Sequence, residues 1–97
     1  MESLAFAPAL ALASNIRHQE ISALELLEFY RQRVETYNPR LNAIIFRQDE
    51  KARQRADAAD TALARGEVWG PLHGVPMTIK ESFDWVGSPA IWGNPVL

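Results

Sequence analysis

The chain has 97 residues, 47% of them hydrophobic and 23% charged, with a formal net charge of -2 and no cysteine. This composition fits one globular domain at most and is unlike that of a disordered chain. It offers no basic surface for nucleic acid or anionic lipid, and it excludes disulfides and thiolate metal sites, in keeping with a reducing, cytoplasmic setting.

The first apolar stretch, "LAFAPALALA", follows Met1 and Glu2 with no basic segment before it, and its 10 residues are too few to span a bilayer. Leu4 to His18 predicts a first helix, rich in alanine and leucine. Pro8 falls near its first turn, where a missing N–H does little harm. The next segment, "ISALELLEFYRQRVETYNP", pairs Ser22 with Glu25 in a capping box. Leu24, Leu27, Tyr30, Val34 and Tyr37 then recur three and four apart, which predicts one apolar stripe on a helix that Asn38-Pro39 ends.

"LNAIIFR" (41–47) is a short β-rich run suited to a strand covered on both faces. Asp49 to about Arg65 is helical again, with Ala52, Ala56, Ala59 and Leu63 on one side and Gly66 at its end. After the loop "GEVWGPLHG" a second strand is predicted from about Val75 to Ser82, where Val75, Met77 and Ile79 alternate with Pro76, Thr78 and Lys80. "DWVGSPAIWGNPVL" reads as loop. Two strands among three helices make too little sheet to stand alone, so the layout predicts the start of a larger α/β unit, a single truncated domain over residues 1–97.

Lys80 is the residue that asks for an explanation. It stands at a strand's C-terminal end, where open α/β sheets place their ligands. As a base it must be neutral, and at an ordinary pKa only about one lysine in 2500 is neutral at pH 7, so burial or cationic neighbours must act on it. On the residues alone, the plain reading is a strand-end lysine in water.

"GPLHGVPMTIKES" (70–82) resembles the lysine-bearing segment of the amidase signature family. There a G-P-L-x-G-V-P pattern leads into a strand ending in Lys followed by Asp. The resemblance extends upstream. "ISALELLEFYRQRVETYNPRLNAII" is similar to that family's N-terminal helix and first strand, and "ARQRADAADTALARGE" to its next helix. "AIWGNP" is similar to its T-T-W-G-x-P segment. Glu81 stands where aspartate is usual, and Ala90 where threonine is.

The resemblance implies a Ser-cisSer-Lys amide hydrolase with a large mixed α/β sheet, acting on small-molecule amides through an acyl-enzyme without metal or organic cofactor. Only the catalytic lysine has a counterpart here, Lys80, which would take the bridging serine's proton. The two serines would lie downstream, and residues 81–97 hold no Gly-Ser-Ser-Gly-like run. On this reading the chain is an N-terminal fragment, inactive alone. The alternative is a non-catalytic interaction module, or one chain of a split or oligomeric assembly completed by a partner.

Other candidates carry less. Ser82 shares the strand face of Lys80, but side chains two residues apart, about 7 Å at the backbone, are badly placed for proton transfer. His18 and His73 have no ligand cluster beside them in sequence and read as structural or solvent-facing. Gly70, Gly74, Pro71 and Pro76 predict a tight turn and lack the Gly-Lys-Ser/Thr of a phosphate loop. Arg47, Lys51, Arg53 and Arg55 are balanced by Asp49, Glu50, Asp57 and Asp60, which reads as a solvated helix face. Trp69, Trp85 and Trp92 read as cover for a core.

Overall fold

Pro8 decides how the chain begins. The computed structural model describes residues 2–44 and 46–79, for residues 2 and 3 the backbone alone. In place of one helix over Leu4–His18 there are two, α1 (Glu2–Ala5) and α2 (Ala9–Arg17). Pro8, at φ -62 and ψ 151, is the N-cap of α2 and lies outside both. A proline drives its predecessor out of the helical region, so the break falls at Ala7. α2 then closes in a Schellman turn, with the Gln19 N–H on the Ile16 carbonyl and the Glu20 N–H on the Asn15 carbonyl, both 2.9 Å. Gln19 occupies the left-handed region at φ 59, a place usually left to glycine.

α3 (Ala23–Leu41) opens with the capping box that the sequence predicts. Glu25 N–H donates to Ser22 Oγ at 3.0 Å, and Ser22 N–H donates to Glu25 Oε1 at 3.1 Å. The helix does not stop at Asn38-Pro39. It runs to Leu41 and ends at Asn42, φ 49, whose N–H reaches the Asn38 carbonyl. Proline forfeits only one helical bond, and Asn38 compensates with its side chain. Its Oδ1 accepts from the Ile44 N–H and its Nδ2 donates to the Ile44 carbonyl, each at 2.9 Å.

Those two bonds also explain why "LNAIIFR" makes no strand among the described residues. Leu41 belongs to α3, and the flanking residues 42–44 and 46–48 are irregular. A strand needs a ladder; here one amide side chain does for Ile44 what a neighbouring strand would do. Residues 75–79 are likewise irregular, and the rest of the second predicted strand lies outside the described residues. The described part of the molecule is thus helical, and the predicted sheet is not present in it.

α4 (Asp49–Ala64) ends as expected at Gly66, φ 81, in a second Schellman turn. α3 and α4 pack together through small residues: Ala23 meets Ala56 and Ala59, with Leu27 against them. A second cluster, Leu12, Ile16 and Leu26, joins α2 to α3, with Tyr30, Leu63 and Val75 at its margin. The buried line of α3 is therefore Ala23, Leu26, Leu27, Tyr30 and Val34, one position round from the predicted stripe. Leu24 and Tyr37 face outward. Among the described residues no helix is long and apolar enough to cross a membrane.

Ion pairs lie along the outer edge of the same two helices. Arg31 holds Glu28 at 2.6 Å and approaches Glu35, while Arg47 bridges Glu35 and Asp49. The Arg31 hydrogen bond holds the Glu28 carboxyl below its ordinary range, but the pair is exposed and contributes little.

Asp60 is not part of a solvated face. It projects from α4 to the start of α3, where Oδ1 accepts from Ala23 N–H at 2.7 Å and Oδ2 from Leu24 N–H at 3.1 Å. A helix begins with unpaired N–H groups, and a negative charge there also opposes the helix dipole. Asp60 takes the first two of α3 and Ser22 takes the third. Replacing a capping oxygen costs up to about 2 kcal/mol, and bonds to a charged group lie in the upper part of that range. Asp60→Ala is expected to cost about 2 kcal/mol in urea unfolding, and Ser22→Ala about 1 kcal/mol. Equal, negligible losses from both would show that α3 does not depend on its neighbour for its cap.

Candidate functional site

Lys80 lies outside the described residues, as do Glu81, Ser82, Trp85, Ala90 and Trp92. The segment that leads to the lysine is described up to Ile79, and its geometry starts at the end of α4. From Gly66 the chain turns back along α4. His73 N–H bonds the Gly70 carbonyl at 3.2 Å and Val75 N–H the Leu72 carbonyl at 3.1 Å, so two overlapping turns form over residues 70–75.

The turn is built round His73, which is 3% exposed. Its Nδ1 accepts from the Trp69 N–H at 3.0 Å, and its Nε2 lies 2.9 Å from the Ala59 carbonyl. An amide can only donate and a carbonyl can only accept, so the proton sits on Nε2 and the ring is neutral. The Trp69 ring lies against it at 4.9 Å, and the Arg55 guanidinium covers the Trp69 ring at 4.0 Å from its centroid. Trp69 is therefore cover, as its sequence suggests, though over a histidine and not over aliphatic side chains. His73 has the structural role that its sequence predicts.

Gly74 follows with φ 80. A Cβ placed on it would stand 3.1 Å from the Ala23 Cβ and 3.3 Å from two Ile16 carbons. The backbone of the turn thus touches the junction of α2, α3 and α4, and only glycine fits both the angle and the space. Val75 then packs against the cluster of Leu12, Ile16 and Leu26. Beyond it the predicted alternation is not seen: Pro76 is half-buried, whereas Met77, Thr78 and Ile79 are all exposed.

The remaining candidates make no site. His18 is exposed, and its Nδ1–H closes on the Ser14 carbonyl at 2.8 Å at the end of α2. No group of three His, Asp or Glu side chains suited to a metal ion occurs among the described residues. An open hollow of about 250 Å³ between Ile16, Gln19, Ile21 and Leu63 has Glu25 and Asp60 in its lining, but both carboxylates are engaged as helix caps. What the described geometry does is hold a turn firmly, and deliver the chain from it toward Lys80.

Residues 25–97 match the sequence model of the family described as Amidase, which takes in α3, α4, the turn and the lysine segment. The chain belongs to the amidase family. It is 44% identical over 87 residues, 90% of its length, to the indoleacetamide hydrolase of Bradyrhizobium diazoefficiens, and spans 17% of that protein. It is 44% identical over 78 residues, 80% of its length, to a glutamyl-tRNA(Gln) amidotransferase subunit of Halorhodospira halophila, spanning 16% of it. Over 95 residues, 98% of its length, it is 32% identical to the amidase of Pseudomonas putida and spans 20% of that enzyme. The chain thus spans a fifth or less of these amidase-family relatives.

The close contact at Gly74 has a measurable counterpart within the same turn region. Gly66 also has a positive φ, 81, but a Cβ there would meet nothing within 4 Å. Gly66→Ala is expected to cost about 1–2 kcal/mol, the left-handed backbone alone. Gly74→Ala adds the crowding against Ala23 and Ile16 and is expected to cost about 3 kcal/mol or more. Equal losses in denaturant unfolding would contradict the tight seating of the turn.

Proposed function

We propose that this chain carries the catalytic lysine of an amide hydrolase, and that the lysine is Lys80. The observation that carries the reading is the family match over residues 25–97, which runs without interruption through "GPLHGVPMTIKES". In this reading Lys80 acts in its neutral form as the general base of a Ser-cisSer-Lys arrangement. It takes the proton of the bridging serine, which in turn takes the proton of the nucleophilic serine as that oxygen attacks the amide carbonyl. The amine leaves with a proton, an acyl-enzyme remains, and water releases the acid. No metal or organic cofactor enters.

The serines and the oxyanion-stabilising backbone N–H groups belong to sequence other than these 97 residues, and so does most of the mixed α/β sheet. A further reason for assigning that sequence to the same domain is the set of large apolar side chains left uncovered. Phe6 is 83% exposed, Leu41 70%, Leu10 66% and Met77 66%. Such side chains are ordinarily shielded by more polypeptide. The same exposure favours the second reading, in which a separate partner chain supplies the missing strands and the assembly, not the single chain, is the working unit. The substrate class is a small-molecule amide in either case; the name of the Bradyrhizobium relative makes indoleacetamide the first to try.

The test grafts residues 1–97 in place of the matched segment of that 44% identical hydrolase. The graft is expected to release ammonia from indoleacetamide, and Lys80→Ala within it to lower kcat by about 10²–10⁴-fold. The ungrafted 97 residues are expected to release none. Full turnover by the Lys80→Ala graft would remove Lys80 from the chemistry.

A further inference from the structure

The turn before Lys80 holds more structure than a connection requires. Within it, a buried imidazole bonds two backbone groups that belong to different parts of the chain, the Trp69 N–H in the loop and the Ala59 carbonyl inside α4. The ring is closed in on one side by Trp69, itself covered by Arg55. The next residue, Gly74, is wedged against Ala23 and Ile16. The chain therefore leaves α4's surface from one fixed point and in one fixed direction.

We propose that His73 is a positioning residue for Lys80: its two backbone bonds set the direction in which Val75 and the residues after it carry the lysine. This rests on the reading of Lys80 as the general base. Leverage is the reason for the inference. Five extended residues, the step from Val75 to Lys80, reach up to about 17 Å, so a tilt of about 10° at the turn moves the far end by about 3 Å. Proton transfer tolerates far less, and a misplacement of about 1 Å can cost on the order of 100-fold in rate. Beyond Val75 the described residues Met77, Thr78 and Ile79 are exposed and supply no second anchor of their own. The burden of aim thus falls on the turn, and within the turn on the one side chain that ties it to α4.

The two ring nitrogens can be tested separately. His73→Gln keeps a side-chain N–H donor for the Ala59 carbonyl and loses the acceptor for Trp69; His73→Asn keeps a near acceptor and loses the far donor. On the 97-residue chain, 15N spectra of the imidazole are expected to show Nε2 protonated and Nδ1 bare. A ring that averages between tautomers would overturn the proposal. In the indoleacetamide hydrolase graft, both variants are expected to lower kcat by about 10–100-fold with KM within about threefold of the parent and the melting temperature nearly unchanged.

An unchanged kcat in both variants would overturn the proposal. So would losses of kcat that only follow losses of melting temperature. The Lys80→Ala graft is run beside them. If it keeps full turnover, the hydrolase reading fails and the positioning role fails with it, while the imidazole spectrum still reports whether the two-bond clamp is real.

Discussion

The carboxylate of Asp60 at the start of α3 is the contact from which the rest of the described structure follows. α3 and α4 meet through alanine, and alanine buries little surface, so hydrophobic area alone gives this pair a modest hold. Small side chains do something else: they let the two helices come close enough for a short aspartate to reach across. Asp60 then binds the Ala23 and Leu24 N–H groups, one with each oxygen. The bond fixes the axial position of α3 against α4, which a smooth alanine surface would leave free to slide.

The consequences run in one direction. With α3 seated, the Ala23 methyl and the Ile16 side chain form the floor on which Gly74 rests. With α4 seated, the Ala59 carbonyl is presented to His73. Ala59 and Asp60 are neighbours on the same turn of α4, one holding the lysine-side loop and the other the N-terminus of α3. The family's lysine segment is thus mounted on the most tightly specified junction in the described molecule, although the chemistry itself would take place further along. Loops that carry reacting groups need a rigid base, and here the base is a pair of adjacent residues on one helix.

Much of this was legible in the sequence, and what was missed has physical reasons. The Ser22–Glu25 box and the Gly66 stop are local devices, set by residues three or four apart, and both were found where the pattern predicts. Pro8 and Pro39 were harder, because proline's effect depends on context. Pro8 splits the first helix, whereas Pro39 is accommodated in the last turn of α3 because the Asn38 side chain satisfies Ile44. Asp60 was read with the charged face of α4. Yet it stands four residues after Ala56 and three before Leu63, on the apolar side, and an acid in that company was itself the signal of a partner. The two backbone targets of His73 lie four and fourteen residues away, and no spacing rule names them. The strands were predicted from apolar runs alone, and a run of that kind becomes a strand only when another backbone lies beside it.

Native-state hydrogen exchange at the Ala23 and Leu24 amides tests the central claim most directly. First-turn amides of a helix ordinarily have no acceptor and exchange almost freely. If Asp60 joins α4 to α3 as described, these two amides exchange about as slowly as those of Leu26 and Leu27 in the interior of the helix, and lose that protection in Asp60→Ala. Rapid exchange at Ala23 and Leu24 in the unaltered chain would contradict the account, because the two helices would then lack the bond on which the lysine-bearing turn is built.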